Sequence, residues 1–227
     1  MGAILKKEFK SYFLSPIAYI YIGIFLLTCS LFFYLDIFNY QSTDFANMFG
    51  SAGTILTFIV PMITMRMFSE ERKNGTEQLL LTSPRSVTAV VLGKFFATAC
   101  VILVSTLLTL MYFVILQFFG KPHLGSSLVA ILGFSLLAIA YVSFGMFASS
   151  LTENQVIAAV ISIGFFMLLW FLPSMLPVLN DYSLMYAFYT SFMSGTIALK
   201  DITLLLSFSA MFTIFTIMVI QRRKSVK

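Results

Sequence analysis

Apolar runs of membrane-spanning length follow one another through this chain, and they settle its class before any motif is considered. A helix needs about 20 consecutive apolar residues to cross the hydrocarbon core of a bilayer. Six such runs read out at 16–35, 51–68, 86–119, 126–149, 155–172 and 202–220. The 227 residues are 59% hydrophobic and only 10% charged, with a mean hydropathy of +0.97; a soluble domain carries roughly a quarter charged residues. The predicted fold is an all-α membrane protein with six transmembrane helices in a single domain over 1–227. The first run is of full span length and lacks a small-residue cleavage site, so no cleavable signal peptide is expected.

Charge placement orients the predicted spans. Of the 14 Lys and Arg, only Lys121 and Lys200 fall in outer connections; ten fall in the two termini and the 69–85 stretch, and Arg66 and Lys94 lie near the ends of spans on that same side, which also holds the 149–155 loop. Basic residues favour the cytoplasmic side, so both termini are expected in the cytoplasm of a multi-pass protein of the cell (inner or plasma) membrane. The net charge of +5 sits beside the spans, which argues against a nucleic-acid partner. The run at 86–119 is longer than a span requires, so its first turns, with Arg85 and Lys94, are expected to protrude on the cytoplasmic side.

The most polar segment is 69–84. Asn74 followed by Glu77 has the spacing of a capping box, with Leu79, Leu80 and Leu81 as a small apolar face. Ser83-Pro84 then reads as N-cap and first helical position of the next helix. A short capped helix between two spans would serve as a docking surface, although an ordinary solvated loop fits the spacing equally well. Residues 2–14 read as an interfacial amphipathic helix. Ile4, Leu5, Phe9, Tyr12 and Phe13 share one face, and Lys6, Lys7, Glu8 and Lys10 lie mostly on the other, towards anionic lipid headgroups. Ser15-Pro16 repeats the cap-then-proline signal.

Elsewhere, 36–50 reads as a polar loop, Pro61 as a kink and Arg66 as a snorkelling side chain. Gly145 and Ser149 form a small-xxx-small pair that permits close helix approach. In the second inner loop, Ser150 with Glu153 and Thr152 with Gln155 each match a capping box around Asn154. Residues 173–199 are aromatic and Met-rich with Asp181 as their single charge, too apolar for a free loop, and are expected to re-enter the membrane or lie on its outer face. Cys29 and Cys100 read as small hydrophobes, and His123 as a solvated loop residue. Hydroxyls inside the spans, including Thr54, Ser105, Thr106, Thr109, Ser135 and Ser143, are expected to hydrogen-bond between helices.

There is no G-x-x-x-x-G-K-[ST], H-E-x-x-H, C-x-x-C or G-x-S-x-G motif. No metal or catalytic site is expected, and few acids lie mid-span to carry a proton relay. If the chain moves a cargo, a partner supplies the energy.

In order along the chain, Lys6-Lys7-Glu8-Phe9 with Ser15-Pro16, Phe68-Ser69-Glu70-Glu71-Arg72, Gly75-Thr76-Glu77-Gln78-Leu79-Leu80 with Ser83-Pro84, Gly93-Lys94, Ser150-Leu151-Thr152-Glu153-Asn154-Gln155 and 195–201 resemble the membrane subunit of ABC-2 type transporters. Within that family the chain is similar to the branch of the gliding-motility permease and the permease that matures the copper site of nitrous oxide reductase. The resemblance implies that 2–14 is an elbow helix, with Lys6, Lys7, Phe9 and Lys10 at the interface. It makes 70–82 a coupling helix seated on a separate cytoplasmic ATPase, and 173–199 re-entrant outer helices. Glu70, Glu71, Arg72 and Glu77 would contact the ATPase, Gly75 would allow close approach, and Asn74, Thr76 and Glu77 would shape the helix. Thr152, Glu153, Asn154 and Gln155 would form a second cytoplasmic loop. The resemblance further implies an exporter with two ATPases carrying ATP and Mg, a second permease chain of the same or a related kind, surrounding lipid, room for an auxiliary extracytoplasmic subunit, and no cofactor on this chain. The alternative is a membrane scaffold that anchors such an ATPase for mechanical or regulatory work.

Overall fold

The computed structural model describes residues 2–38, 45–78, 86–120 and 122–226. Its described helices are α1 (Gly2–Leu14), α2 (Pro16–Phe38), α3 (Phe45–Thr64), α4 (Ser69–Lys73), α5 (Val87–Leu108), α6 (Leu110–Phe119), α7 (Leu124–Leu151) and α8 (Gln155–Met175). They are followed by a 3-10 turn at Pro177–Tyr182, the short α9 (Leu184–Ala187), a π turn at Phe188–Phe192 and α10 (Leu199–Val226). Among the described residues, six stretches are long and apolar enough to cross a membrane: Pro16–Asp36, Phe45–Lys73, Val87–Phe118, Leu124–Leu151, Gln155–Met175 and Leu199–Ser225.

The bundle is built around α7, which packs against α3, α5, α8 and α10. Its sequence explains the central place. Lipid tails are as apolar as leucine, so helices associate in a membrane through close packing of small residues and through hydrogen bonds. On α7 the buried positions include Ala130, Gly133, Ala138, Ala140, Ser143, Gly145, Ala148 and Ser149. A Cβ at Gly145 would collide with Thr64 of α3, so the two backbones meet where the small-xxx-small pair lies. Aromatic rings then fix α8: Tyr141 stacks on Phe166 with centroids 3.9 Å apart, and Phe144 on Phe165 at 3.8 Å. The outer faces of α2 and α8 remain apolar and exposed, with Leu27, Leu31, Val156, Val160 and Leu168 among them.

Residues 184–192 form a wedge at the end of the bundle away from α1. Leu184, Met185, Phe188 and Phe192 are buried there. The Tyr189 hydroxyl donates to the Gly50 carbonyl at 2.7 Å, and Ser191 bonds the Asp201 carboxylate. Gly133 of α7 exists to make room: a Cβ there would occupy the space of the Phe192 side chain.

Several elements depart from the sequence reading. α3 begins at Phe45, so 45–50, read as loop, is helical, and Phe45 packs edge-on against Phe113 at 5.5 Å. The long run at 86–119 is interrupted at Thr109. There the Thr106 and Thr109 hydroxyls donate to the Ile102 and Thr106 carbonyls at 2.6 and 2.5 Å, competing with the helical ladder. Ser105, Ser135 and Ser143 likewise bond carbonyls of their own helix rather than crossing to another. Thr54, which meets the Tyr189 hydroxyl at 3.1 Å, does cross. Ser15 caps α2 as expected, accepting from the Ile17 amide at 3.2 Å. Asn39, Asp44 and the Leu79–Leu81, Ser83-Pro84, Arg85 and Lys121 positions lie outside the described residues; the helix after them is capped by Ser86, which accepts from the Ala89 amide.

Gly133→Ala is expected to lower stability by about 1–3 kcal/mol by overpacking against Phe192. Gly164→Ala, where a Cβ meets nothing within 4 Å, is expected to be neutral or slightly stabilising. Thermal unfolding in detergent compares the two; equal melting temperatures would contradict the wedge.

Candidate functional site at the charged end of the bundle

Charged side chains of distant segments meet at one end of the bundle, around residues 65–78. The chain leaves α3 through four turn residues, and α4 follows at Ser69. Ser149 of α7 holds this corner. Its hydroxyl donates to the Met65 carbonyl at 2.9 Å and accepts from the Phe68 and Ser69 amides at 3.0 and 3.1 Å. One donor and two acceptor sites are all that a hydroxyl has, so Ser149 is saturated and α4 is pinned to the end of α7.

Lys94 ties the same corner to α1. Its ammonium lies 2.8 Å from Glu71 Oε1 and 3.2 Å from Glu8 Oε2, and its side chain is only 5% exposed. It also sits 5.5 Å above the Phe68 ring. Lys94 therefore does not protrude, as its place early in a long run suggested. It is turned inward because a buried ammonium requires partners. Glu8 turns inward with it, while Lys6, Lys7 and Lys10 stay exposed and Phe9 packs against the core. The close approach of α1 to α5 depends on Gly93, where a Cβ would stand 2.7 Å from Ile4. Tyr12 completes the contact with a 2.9 Å bond to Thr98. Burial pushes the Tyr12 hydroxyl above its ordinary value, with the Thr98 bond pulling the other way, so it stays neutral. A cavity of about 300 Å³ opens beside this cluster, lined among others by Glu8, Tyr12, Arg66, Glu70, Glu71 and Lys94.

Three further ion pairs complete the junction. Arg66 grips Glu70 with two nitrogens at 2.7 and 2.5 Å. Arg72 reaches the α7–α8 loop, meeting Glu153 at 2.9 Å and the Leu151 carbonyl at 3.2 Å. Arg223, near the end of α10, meets Glu77 at 3.2 Å and donates to the Ser150 carbonyl at 2.6 Å.

These contacts revise the local capping expected from spacing. Asn74 stands at the C-cap of α4, its amide directed to the Arg72 and Glu70 carbonyls. Gly75 follows with a φ of +71°, open space around it, and Thr76 donates to the Glu71 carbonyl at 3.2 Å. Glu77 does not return to Asn74, because Arg223 holds it. In the α7–α8 loop Asn154 is the N-cap of α8, accepting from the Val156 amide at 2.9 Å, and Thr152 accepts from the Asn154 amide at 3.1 Å. Neither Glu153 nor Gln155 acts as the cap partner; Glu153 is turned to Arg72. Among the 70–77 residues, Glu70, Glu71, Arg72 and Glu77 are thus bound within the chain, and Asn74, Gly75 and Thr76 face outward. Sequence reading named Ser149 only as a small residue and missed its hydrogen bonds to the 65–69 corner, along with Arg223 and the inward turn of Lys94. A lone cation inside an apolar run was the available signal for the last. Among the described residues, no three His, Cys, Asp or Glu side chains gather as a metal would require.

A six-helix bundle with apolar flanks and a charged junction at one end is a multi-pass membrane protein. The family model described as "ABC-2 family transporter protein" matches residues 2–223, and the chain belongs to that family. Its members are non-catalytic membrane components that work with an ABC ATPase. No curated protein matches the chain.

Lys94→Met is expected to destabilise the chain by about 3–5 kcal/mol, since two acids lose their shared counter-charge. Glu8→Gln, which leaves the shorter Glu71 contact, is expected to cost less. Thermal unfolding of the purified protein ranks them; a harmless Lys94→Met would contradict the buried junction.

Proposed function

We propose that this chain is the permease subunit of an ABC exporter, driven by a separate cytoplasmic ATPase that seats on the 70–82 segment, whose described part is the short α4 followed by a turn at 74–76 and not the one continuous helix expected. The convergence of that segment with the rest of the bundle carries the reading. Through Glu71 it reaches α5 and α1, through Arg72 the α7–α8 loop, and through Glu77 the end of α10. A push at one exposed turn is therefore delivered to four parts of the fold. The twelve-to-two division of basic residues supports a cytoplasmic position for this end and both termini. In this reading α1 is the elbow helix and 173–199 the outer, re-entrant element.

Two such chains, the same or related, pair above two ATPases that bind ATP and Mg. The interior of one chain is filled by Phe25, Phe49, Phe134, Phe188 and Phe192, so the cargo route lies between chains. ATP-driven closure of the ATPases draws the two 69–78 segments together and shifts the population towards an outward-open pathway. The scarcity of charges within the spans favours an amphipathic, lipid-like or peptide cargo. Within the family, the Glu71-Arg72 to Glu77 and 151–155 segments are the grounds for placing the chain beside the gliding-motility and nitrous-oxide-reductase-maturation permeases.

Affinity purification of the native complex in mild detergent is expected to bring an ABC ATPase with the permease at about one to one. Gly75→Trp, at an open turn, is expected to leave membrane insertion intact and to abolish permease-dependent stimulation of ATP hydrolysis. Full stimulation by that variant would contradict the seating on this turn, and an ATPase held but never coupled to transport would favour the scaffold alternative.

A further inference from the structure

The charges that would be offered to the partner are not those the motif suggests. At the inner end of the bundle Glu8, Glu70, Glu71, Glu77 and Glu153 are each in an ion pair with a cation of the same chain. Lys73, Arg222 and Lys224 make no ion pair among the described residues, and all three are exposed. The Glu77–Arg223 contact brings the end of α10, with Arg222 and Lys224, beside the turn that Lys73 opens. At the tip of that turn, 74–76 is exposed and carries no apolar side chain.

From this we infer that the docking surface is a basic collar around a neutral backbone turn, and that the partner ATPase meets it with an acidic face. This inference rests on the ATPase reading above. A basic partner would find its carboxylates already taken, and an apolar one would find no exposed apolar side chain at 73–76. Carboxylates on the partner find three unpaired cations, and the backbone groups around Gly75 accept close approach because nothing stands within 4 Å of its Cβ position. Lys6, Lys7 and Lys10 belong to a different surface, the interfacial face of α1, where lipid headgroups are the natural counter-charge. Pairs of this kind act on association and specificity, and they are screened by salt.

The native complex, purified with its ATPase, tests the assignment. Retention of the ATPase is expected to fall as ionic strength rises. Lys73→Glu, Arg222→Glu and Lys224→Glu together are expected to weaken it at least about tenfold, whereas Lys73→Arg with Lys224→Arg keeps it, because charge is what matters. Charge reversal at Lys6, Lys7 and Lys10 is expected to leave ATPase affinity unchanged. All three collar positions are exposed and unpaired, so the variants fold. Unchanged affinity in the triple variant, or a loss of bound anionic lipid in native mass spectrometry in place of a loss of ATPase, overturns the basic collar alone. A wild-type chain that brings no ATPase overturns the collar and the ATPase reading together.

Discussion

A lysine ammonium among apolar helices is stable only with counter-charge beside it, and Lys94 has two carboxylates. Much of the charged end follows from that requirement. Glu8 must turn towards α5, which draws α1 onto the bundle at Gly93. Glu71 must do the same, which fixes α4 against α5, while Ser149 fixes it against α7. One buried ammonium thus ties together α1, α4 and α5, three elements far apart in the sequence.

The two ends of the molecule use different physics. At the charged end long-range ion pairs join loops and termini that are far apart in sequence. At the opposite end the wedge of Phe188 and Phe192 is held by shape, with Gly133, Gly53 and Gly50 removing side chains where the aromatic and Met groups enter. Between them α7 supplies small residues, so neighbouring helices approach closely and gain dispersion contacts that lipid would otherwise supply. The middle of the bundle is therefore close-packed, with the charged junction at one end and the aromatic wedge at the other.

That there are six spans was legible because length and hydropathy alone decide it; among the described residues six stretches are long and apolar enough to cross a membrane, although helix α3 ends at Thr64 and the third run is broken at Thr109. The start of α3 was not legible. Asn47 and Gly50 read as loop residues, but Phe45 and Phe49 gain partners only if the helix continues through them. The amphipathic face of α1 was readable from its period, apart from Glu8, whose partner lies 86 residues away. The two capping boxes that rested on a glutamate failed for one physical reason. Glu77 and Glu153 each had a local partner and a distant arginine available, and the arginine won in both cases. Spacing reports only the local competitor. The collar of Lys73, Arg222 and Lys224 was invisible for the same reason, since it exists only once the acids have been claimed.

The central claim, that 69–78 receives the work of an ATPase, is tested most directly by distance measurement across the assembled complex. Thr76→Cys places a label on the exposed turn, away from Cys29, which is buried, and Cys100, which lies within α5. Pulsed electron–electron spectroscopy between labels on the two permease chains would compare the nucleotide-free complex with one trapped with ATP. The account predicts a shorter distance when ATP is bound, as the two turns are drawn together. An unchanged distance, in a complex that binds and hydrolyses ATP, would contradict it.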